Sequence, residues 1–410
     1  MILLCIGALL GVAGLYLVYC IPTAPMKEHI RDSIPMIKKE FEHFNVVEGY
    51  PGSLPGNFTD CLMLEHAVYD PGEHTVLEQI LNMYRGESSE GDGWSPGHSL
   101  VDYLEGKEQP REVEYARYWH GYLLVLKPLL YMTSVNSIRV MSSAIQLILV
   151  GLVVSACGRR REFFLGTAFL LSIPFLYYFS LYTSLSLSIC FYLTMGLILV
   201  QLKADEKIRN RGRYGEFFLI AGMLTAYFDF LTYPLITLGF PLCICMYLDK
   251  KGEKLFQKVL CYSVEWGIGY LGYWALKWVI ADILTGSHVI LNGLQTIFIR
   301  NSSASGQNRV TGFFSVLKQN ISVYCNWGFF LLAAGIGIWL LCVLWKQRKN
   351  RSKHAIAQSS VFIWIAAYPF LWFLLVQNHS EQHWMYTCKI LSVTVFALIC
   401  SVGRLCNKQG

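Results

Sequence analysis

The chain has 410 residues, 54% of them apolar, 14% aromatic and only 15% charged, with a net charge of +6. Water-soluble domains carry about 25% charged residues, and uncharged runs of about 18 residues or more, the length that crosses a bilayer, recur here. Disorder, a collagen-like fibre and a disulfide-stapled secreted fold are excluded, and the composition is that of an all-α membrane protein.

In chain order the expected transmembrane helices are 1–20, 136–157, 163–180, 182–202, 217–228, 231–248, 259–279, 326–345, 356–376 and 384–403, about ten in all. The first lacks the basic flank of a secretory signal and is long for one, so it is expected to be an uncleaved anchor. Residues 21–135 form a large first external loop carrying short helices, and residues 281–325 a second external loop. A transmembrane bundle, 136–280, lies between them, and a C-terminal bundle, 326–410, follows. The segment 119–131 is apolar but only ~13 residues long and contains Lys127 and Pro128, so an interfacial helix is expected there. The run 217–248 is short for two crossings and carries Asp229 and Pro234 near its middle, where an ionisable group is costly without water or a partner.

Basic residues fix the orientation. Nineteen of the 34 Lys and Arg lie at 159–161, 203–213, 250–258, 346–353 and in the tail (Arg404, Lys408), all on alternate loops of the ten-span arrangement. The positive-inside rule then makes those loops and both termini cytoplasmic, in a multi-pass protein expected in the cell membrane. Residues 21–117 hold 18 acidic against eight basic residues, a net of −10, which leaves +16 for the rest of the +6 chain. The excess of positive charge is therefore a topology signal, and nucleic acid is not an expected partner.

All histidines except His354 fall outside in this arrangement. Most of the thirteen cysteines lie within spans, and no disulfide framework is expected. Cys243 and Cys245 point apart on a helix and read as packing residues. Sequons at Asn57, Asn301, Asn320 and Asn378 fall on the external side. No phosphate-binding Gly-rich loop, nucleophile elbow or CxxC cluster is present.

Three external constellations can carry chemistry. In the first, Asp60 follows Asn57 and Thr59 at the start of an apolar helical run, a place for a cap or for a fixed external carboxylate. Glu65 and His66 lie beyond it as supporting groups. In the second, Tyr115-Ala-Arg117-Tyr-Trp-His120-Gly-Tyr122, the aromatics suit headgroup depth. Arg117 adds a fork-shaped donor for phosphate and His120 a titratable group. In the third, His379 and His383 share a helical face and Lys389 lies about a turn inside the last span. Zinc would need the Glu that Ser380 replaces, so any metal is unknown.

This layout, an anchor, a polar external loop bearing an Asp, then many short spans with inside-basic loops, resembles the GT-C class of integral-membrane glycosyltransferases. The resemblance is architectural across the chain and in motif covers the stretches around Asp60, Tyr115–Tyr122 and Asn378–Lys389. It implies transfer of a hexose or pentose from a polyprenyl-phosphate-linked sugar to a glycan or lipid acceptor on the external face, as in building cell-envelope polysaccharide. It also implies an acidic residue of the first external loop as base or holder of a divalent metal ion. The class usually places that Asp close after the first span, whereas Asp60 stands ~40 residues beyond it. Transfer through an oxocarbenium-like state needs a carboxylate for the acceptor hydroxyl and cations for the departing phosphate. Asp60 fits the base, with Glu65 or His66 in support, and Arg117, His120, His379, His383 and Lys389 fit the phosphate. Two other classes remain open: a transporter or flippase of a lipid-linked glycan, with an ion path at Asp229 and Glu265, and a non-catalytic assembly subunit.

Overall fold

The computed structural model describes every residue except 41–44, 71, 88–94, 108–110, 349–352 and 407–410. Part of the basic loop 346–353 and the tail Lys408 therefore lie outside the described residues. The chain is nearly all helical. After α1 (Ile2–Tyr19), the external region folds as α2 (Thr23–Arg31), α3 (Ile34–Glu40), α4 (Asn57–Val68), α5 (Val76–Asn82) and α6 (Pro96–Leu104). A feature missed by the helix-only reading is a small antiparallel pair, β1 (Tyr84–Glu87) with β2 (Arg111–Glu114), in which Tyr84 faces Glu114. Its strands are four residues each, too short for periodicity to reveal.

The interfacial segment is α7 (Leu123–Met132), ten residues with Pro128 inside it. Then follow α8 (Val135–Arg159), α9 (Phe163–Ser172), α10 (Tyr178–Tyr182), α11 (Leu185–Asn210), α12 (Tyr214–Phe228), α13 (Ile236–Leu248) and α14 (Leu255–Thr285). The second external loop is largely helical: α15 (Val289–Arg300) and α16 (Arg309–Ser322) flank the Ser-rich stretch after Asn301. Asn308 accepts from the N–H groups of Val310 and Thr311 and so starts α16. The chain ends with α17 (Trp327–Lys346), α18 (Lys353–Ala366), α19 (Tyr368–Leu375), α20 (Gln377–Gln382), α21 (Trp384–Thr387) and α22 (Leu391–Cys406).

Among the described residues, six helical stretches are long and apolar enough to cross a membrane: Ile2–Tyr19, Val135–Arg159, Leu185–Asn210, Trp327–Lys346, Ala355–Leu375 and Trp384–Cys406. The expected span 163–180 is broken by Pro174, which ends α9 and starts a short 3₁₀ turn. Helices α12 and α13 have only 15 and 13 residues. Helix α17 is the barest of the six: its Trp327, Leu331, Ile338 and Leu341 are 81, 71, 63 and 66% exposed. In water a contiguous apolar face of that size would aggregate, whereas lipid is its natural solvent.

Three buried lysines fasten the external region to the bundle by capping helix ends with exposed carbonyls. Lys127 donates to Ala67 O near the end of α4 (2.7 Å), and Lys277 donates to Leu81 O in the last turn of α5. Lys389 donates to Gly52 O (3.1 Å) and to Met385 O (2.7 Å). Lys277 and Lys389 are thus fully buried rather than reaching out to the interface, since a carbonyl partner within the protein replaces water. On the opposite side, Asp249 accepts from Arg209 and Lys258 (3.0 and 2.7 Å) and Arg209 also holds Asp205 (2.6 Å), which joins α11, α13 and α14.

Candidate functional site

Residues far apart in sequence assemble the polar cluster of the external side. Asp60 sits in the first turn of α4, whose N-cap is Gly56, and it turns away from its own helix. One carboxylate oxygen accepts from Ser184 Oγ (2.9 Å), Ser186 N (2.9 Å) and Ser186 Oγ (2.7 Å), and the other from Leu185 N (2.8 Å). These donors form the N-terminus of α11, whose free N–H groups and dipole favour an anion. Arg139, one turn into α8, stands 3.5 Å from the second oxygen and grips Glu40 through two bonds of 2.5 and 3.0 Å. The residue suggested by sequence as a free base is therefore a fully engaged clamp, 1% exposed, across 124 residues of chain.

Glu65 and His66 lie a turn further on and are equally buried. No hydrogen bond of normal geometry reaches either oxygen of Glu65. Burial pushes its carboxyl up to about 8, against the pull of Arg85 and the Gly86 N–H and with a push from Glu87, so it is protonated at neutral pH. His66 Nδ1 and His120 Nδ1 each lie 3.1 Å from the Tyr122 hydroxyl, and His120 Nε2 lies 2.9 Å from Tyr115 O. Burial lowers His120 to about 3 despite the Tyr115 carbonyl. It lowers His66 well below its ordinary value, with His120 and Arg85 adding to the effect.

These shifts have opposite consequences for stability. Folded Glu65 keeps a proton that the unfolded chain has released, so its contribution is present below about pH 4.5 and lost as pH rises through about 8. The histidines, harder to protonate when folded, destabilise the protein as pH falls below about 6.5. Glu65→Gln is expected to match the wild type at pH 5 and to melt several degrees higher at pH 8 in detergent. Equal melting temperatures at both pH values would show that Glu65 is ionised in the folded protein.

The expected phosphate ligands are only partly brought together. Arg117 donates to Asn292 on α15 (2.8 Å) and lies over the Tyr115 ring (5.0 Å). His379 is held between Arg300 and the Leu231 carbonyl (2.8 Å), and Arg300 also reaches the Tyr118 hydroxyl (3.3 Å). His383 lies 4.6 Å from the His379 ring and is stacked on Tyr386, whose hydroxyl is 3.2 Å from Thr59 Oγ1. Burial and the adjacent Arg300 keep both imidazoles neutral, His383 down at about 4. A continuous path therefore runs from Thr59, beside Asp60, through Tyr386, His383, His379, Arg300 and Tyr118 to His120.

Lys389 stands apart from that path, bound to its two carbonyls. Asp229 closes its own turn by accepting from the N–H and hydroxyl of Thr232. Glu265 lies against Gly215 at the start of α12, and among the described residues the two carboxylates share no partner. Both nitrogens of His379 are occupied, and no group of three or more His, Cys, Asp or Glu among the described residues is placed to hold a metal ion. Asn320 of the third sequon is buried and donates to Val316 O and Ser380 O, so the folded chain does not present it for glycosylation.

Beside Tyr122, helices α7, α8 and α11 leave an apolar cavity of about 460 Å³. Tyr122 and Leu126 line it from α7 and the residue before it, Met141 and Ile145 from α8, and Ile189 and Tyr192 from α11. Val125, Met141 and Ile145 on its rim are exposed, so it opens onto the lipid-type surface. Its polar lining residues are Tyr122, Ser142, Ser188 and Tyr192, where Ser142 Oγ meets Tyr192 OH at 2.7 Å.

Sequence reasoning missed Arg139, Glu40 and Arg300. A charge in the first turns of an otherwise uncharged span is costly without a partner, and that signal could have marked Arg139. Arg300 carries no such mark, because it ends an ordinary amphipathic helix.

Fold and site together define a nearly all-α, multi-pass type of membrane protein with a polar, histidine-rich cluster under the helical region that follows α1. No protein-family model matches the chain, and neither a curated protein nor a solved structure does.

Proposed function

We propose that this protein is a membrane glycosyltransferase that moves a sugar from a polyprenyl-phosphate donor to an acceptor on the external face, with ten crossings and both termini cytoplasmic. The carrying observation is the lateral apolar cavity whose polar end, Tyr122, is bonded to two neutral histidines. An isoprenoid tail fits an apolar slot open to lipid, and the same slot brings its phosphate toward His66, His120 and the Arg117–Arg300 side of the cluster. The basic-loop parity supports the ten crossings, with α9, α12, α13 and α14 completing the six longer spans. Asp60, whose lone pairs are filled, acts here as the anchor that fixes α4, the protonated Glu65 stays in support, and the base role passes to its neighbour His66. His379 and His383 position Arg300, and the cations stabilise charge developing on the departing phosphate, worth several kcal/mol in a dry site.

The test is to incubate the purified protein in nanodiscs with polyprenyl-phosphate sugars and follow release of the carrier phosphate. Release is expected with at least one sugar, and Arg300→Ala is expected to reduce it at least ~100-fold. Absence of release with hexosyl and pentosyl carriers alike refutes the reading. Counter-movement of a lipid-linked glycan across the bilayer without bond cleavage would make the protein a flippase instead.

A further inference from the structure

Hydrogen-bond chemistry fixes the direction of the contacts between His66, Tyr122 and His120. A carbonyl only accepts, so the 2.9 Å contact from His120 Nε2 to Tyr115 O places a proton on Nε2. His120 is neutral, since burial holds it down at about 3, and its Nδ1 is therefore bare. The single Tyr122 proton must point to that nitrogen at 3.1 Å. The Tyr122 oxygen then accepts from His66 Nδ1, also at 3.1 Å, which puts the His66 proton on Nδ1. His66 is neutral as well, and its Nε2 is left as a bare lone pair, buried and without a hydrogen-bond partner. Such an atom costs free energy unless something occupies it, and Tyr122 at the centre of the chain forms a wall of the apolar cavity.

From this geometry we infer that His66 Nε2 is the base that takes the proton of the acceptor hydroxyl, at the head of a relay through Tyr122 to His120. The inference rests on the glycosyltransferase reading above. The acceptor oxygen gives its proton to His66 Nε2 and uses the freed electron pair to bond the anomeric carbon, while the bond from that carbon to the carrier phosphate oxygen breaks. In concert, the Nδ1 proton of His66 passes to the Tyr122 oxygen and the Tyr122 proton to His120 Nδ1. One proton enters and one cation results, the imidazolium of His120. That charge keeps the Tyr115 carbonyl and gains the rings of Tyr115, Tyr118 and Phe230, with centroids 5.8, 6.2 and 5.3 Å away. The relay resets when the proton returns along the same path to the phosphate product. Of the three relay residues, Tyr122 and His120 are positioning residues and His66 alone meets the acceptor.

The direction of the relay can be read without an activity assay. In nanodisc-embedded protein labelled with isotopic nitrogen in histidine, the His66 resonances, identified by their loss in His66→Gln, are expected to show Nδ1 protonated and Nε2 bare. That tautomer is the less favoured one of free imidazole. His120 is expected to show the opposite, and Tyr122→Phe is expected to abolish the bias at His66. A proton on His66 Nε2, or a bias that survives Tyr122→Phe, overturns the relay. In the carrier-release assay His66→Gln is expected to lower kcat ~100-fold or more with little change in KM for the donor, and Tyr122→Phe ~10-fold. A His66→Gln protein with wild-type kcat overturns the base assignment. Wild-type protein that shows the expected tautomers but releases no carrier overturns the base assignment together with the glycosyltransferase reading, and leaves the hydrogen-bond direction standing.

Discussion

Asp60→Ala is expected to lower the stability of the protein by about 3–5 kcal/mol, because it leaves the N-terminus of α11 without its anion and Arg139 with Glu40 alone. Four hydrogen bonds disappear at once, and Ser184, Ser186 and Leu185 cannot turn to water inside the cluster. Asp60→Asn, which keeps the shape and one acceptor oxygen, is expected to cost less. Thermal unfolding in detergent should show a fall of roughly 5 °C for the alanine variant, with faster proteolysis in the external region than in the bundle. Arg139→Ala should cost a similar amount. The double variant should cost less than the sum of the two, since each single change orphans the other's partner. A wild-type melting temperature for Asp60→Ala would show that the clamp carries no load. Under the glycosyltransferase proposal, loss of activity in Asp60→Ala would reflect displacement of α4, with Glu65 and His66 on it.

The second large effect concerns α12 and α14, which meet backbone to backbone. A methyl group on Gly269 would lie 2.1 Å from the Leu219 carbonyl oxygen, and one on Gly222 2.1 Å from the Trp266 carbonyl oxygen. Neither carbonyl can move without breaking its helix, so Gly269→Ala must push the two helices apart. Small residues permit close approach of helices in a membrane, where packing rather than water exclusion drives association. A loss of about 3 kcal/mol or more is expected. The damage should spread, because α14 also holds the external side through Trp274 to Ala226 O, Trp278 to Arg117 O and Lys277 to Leu81 O. Gly267 on the same helix has nothing within 4 Å of an added methyl. Gly267→Ala should be neutral or slightly stabilising, since alanine is the better helix former. Folded yield by size-exclusion chromatography separates the cases. Equal yields for the two alanine variants would refute the close-contact account.

How much was legible in the sequence follows from the range of each signal. Hydropathy is a local property, so the long spans at 2–19, 135–159, 185–210 and 327–346 stand close to where the apolar runs put them. The short apolar run 119–131 likewise corresponds to the ten-residue α7. Caps at Ser134, Ser184, Asn308 and Asn326 explain where their helices start, as each accepts from a backbone N–H two or three residues on. The Asp60 pattern had the same local form, and local reasoning gave it a local partner. Nothing within ten residues of Asp60 says that the N-terminus of α11 offers a better one.

By itself the sequence determined that lipid is the solvent for most of this chain, that acidic and histidine-bearing polar material concentrates in the region after the first helix, and which residues there are chemically able. Only the tertiary structure decided their partners. It turned Asp60 into a clamp and Lys389 into a cap for carbonyls, fixed His379 between Arg300 and Leu231 O, and joined His66 to His120 through Tyr122. The physical reason is that the free energy of a buried polar group depends on which donor or acceptor stands within about 3 Å of it. Those neighbours are set by packing between elements up to 337 residues apart, a distance over which composition and periodicity carry no information.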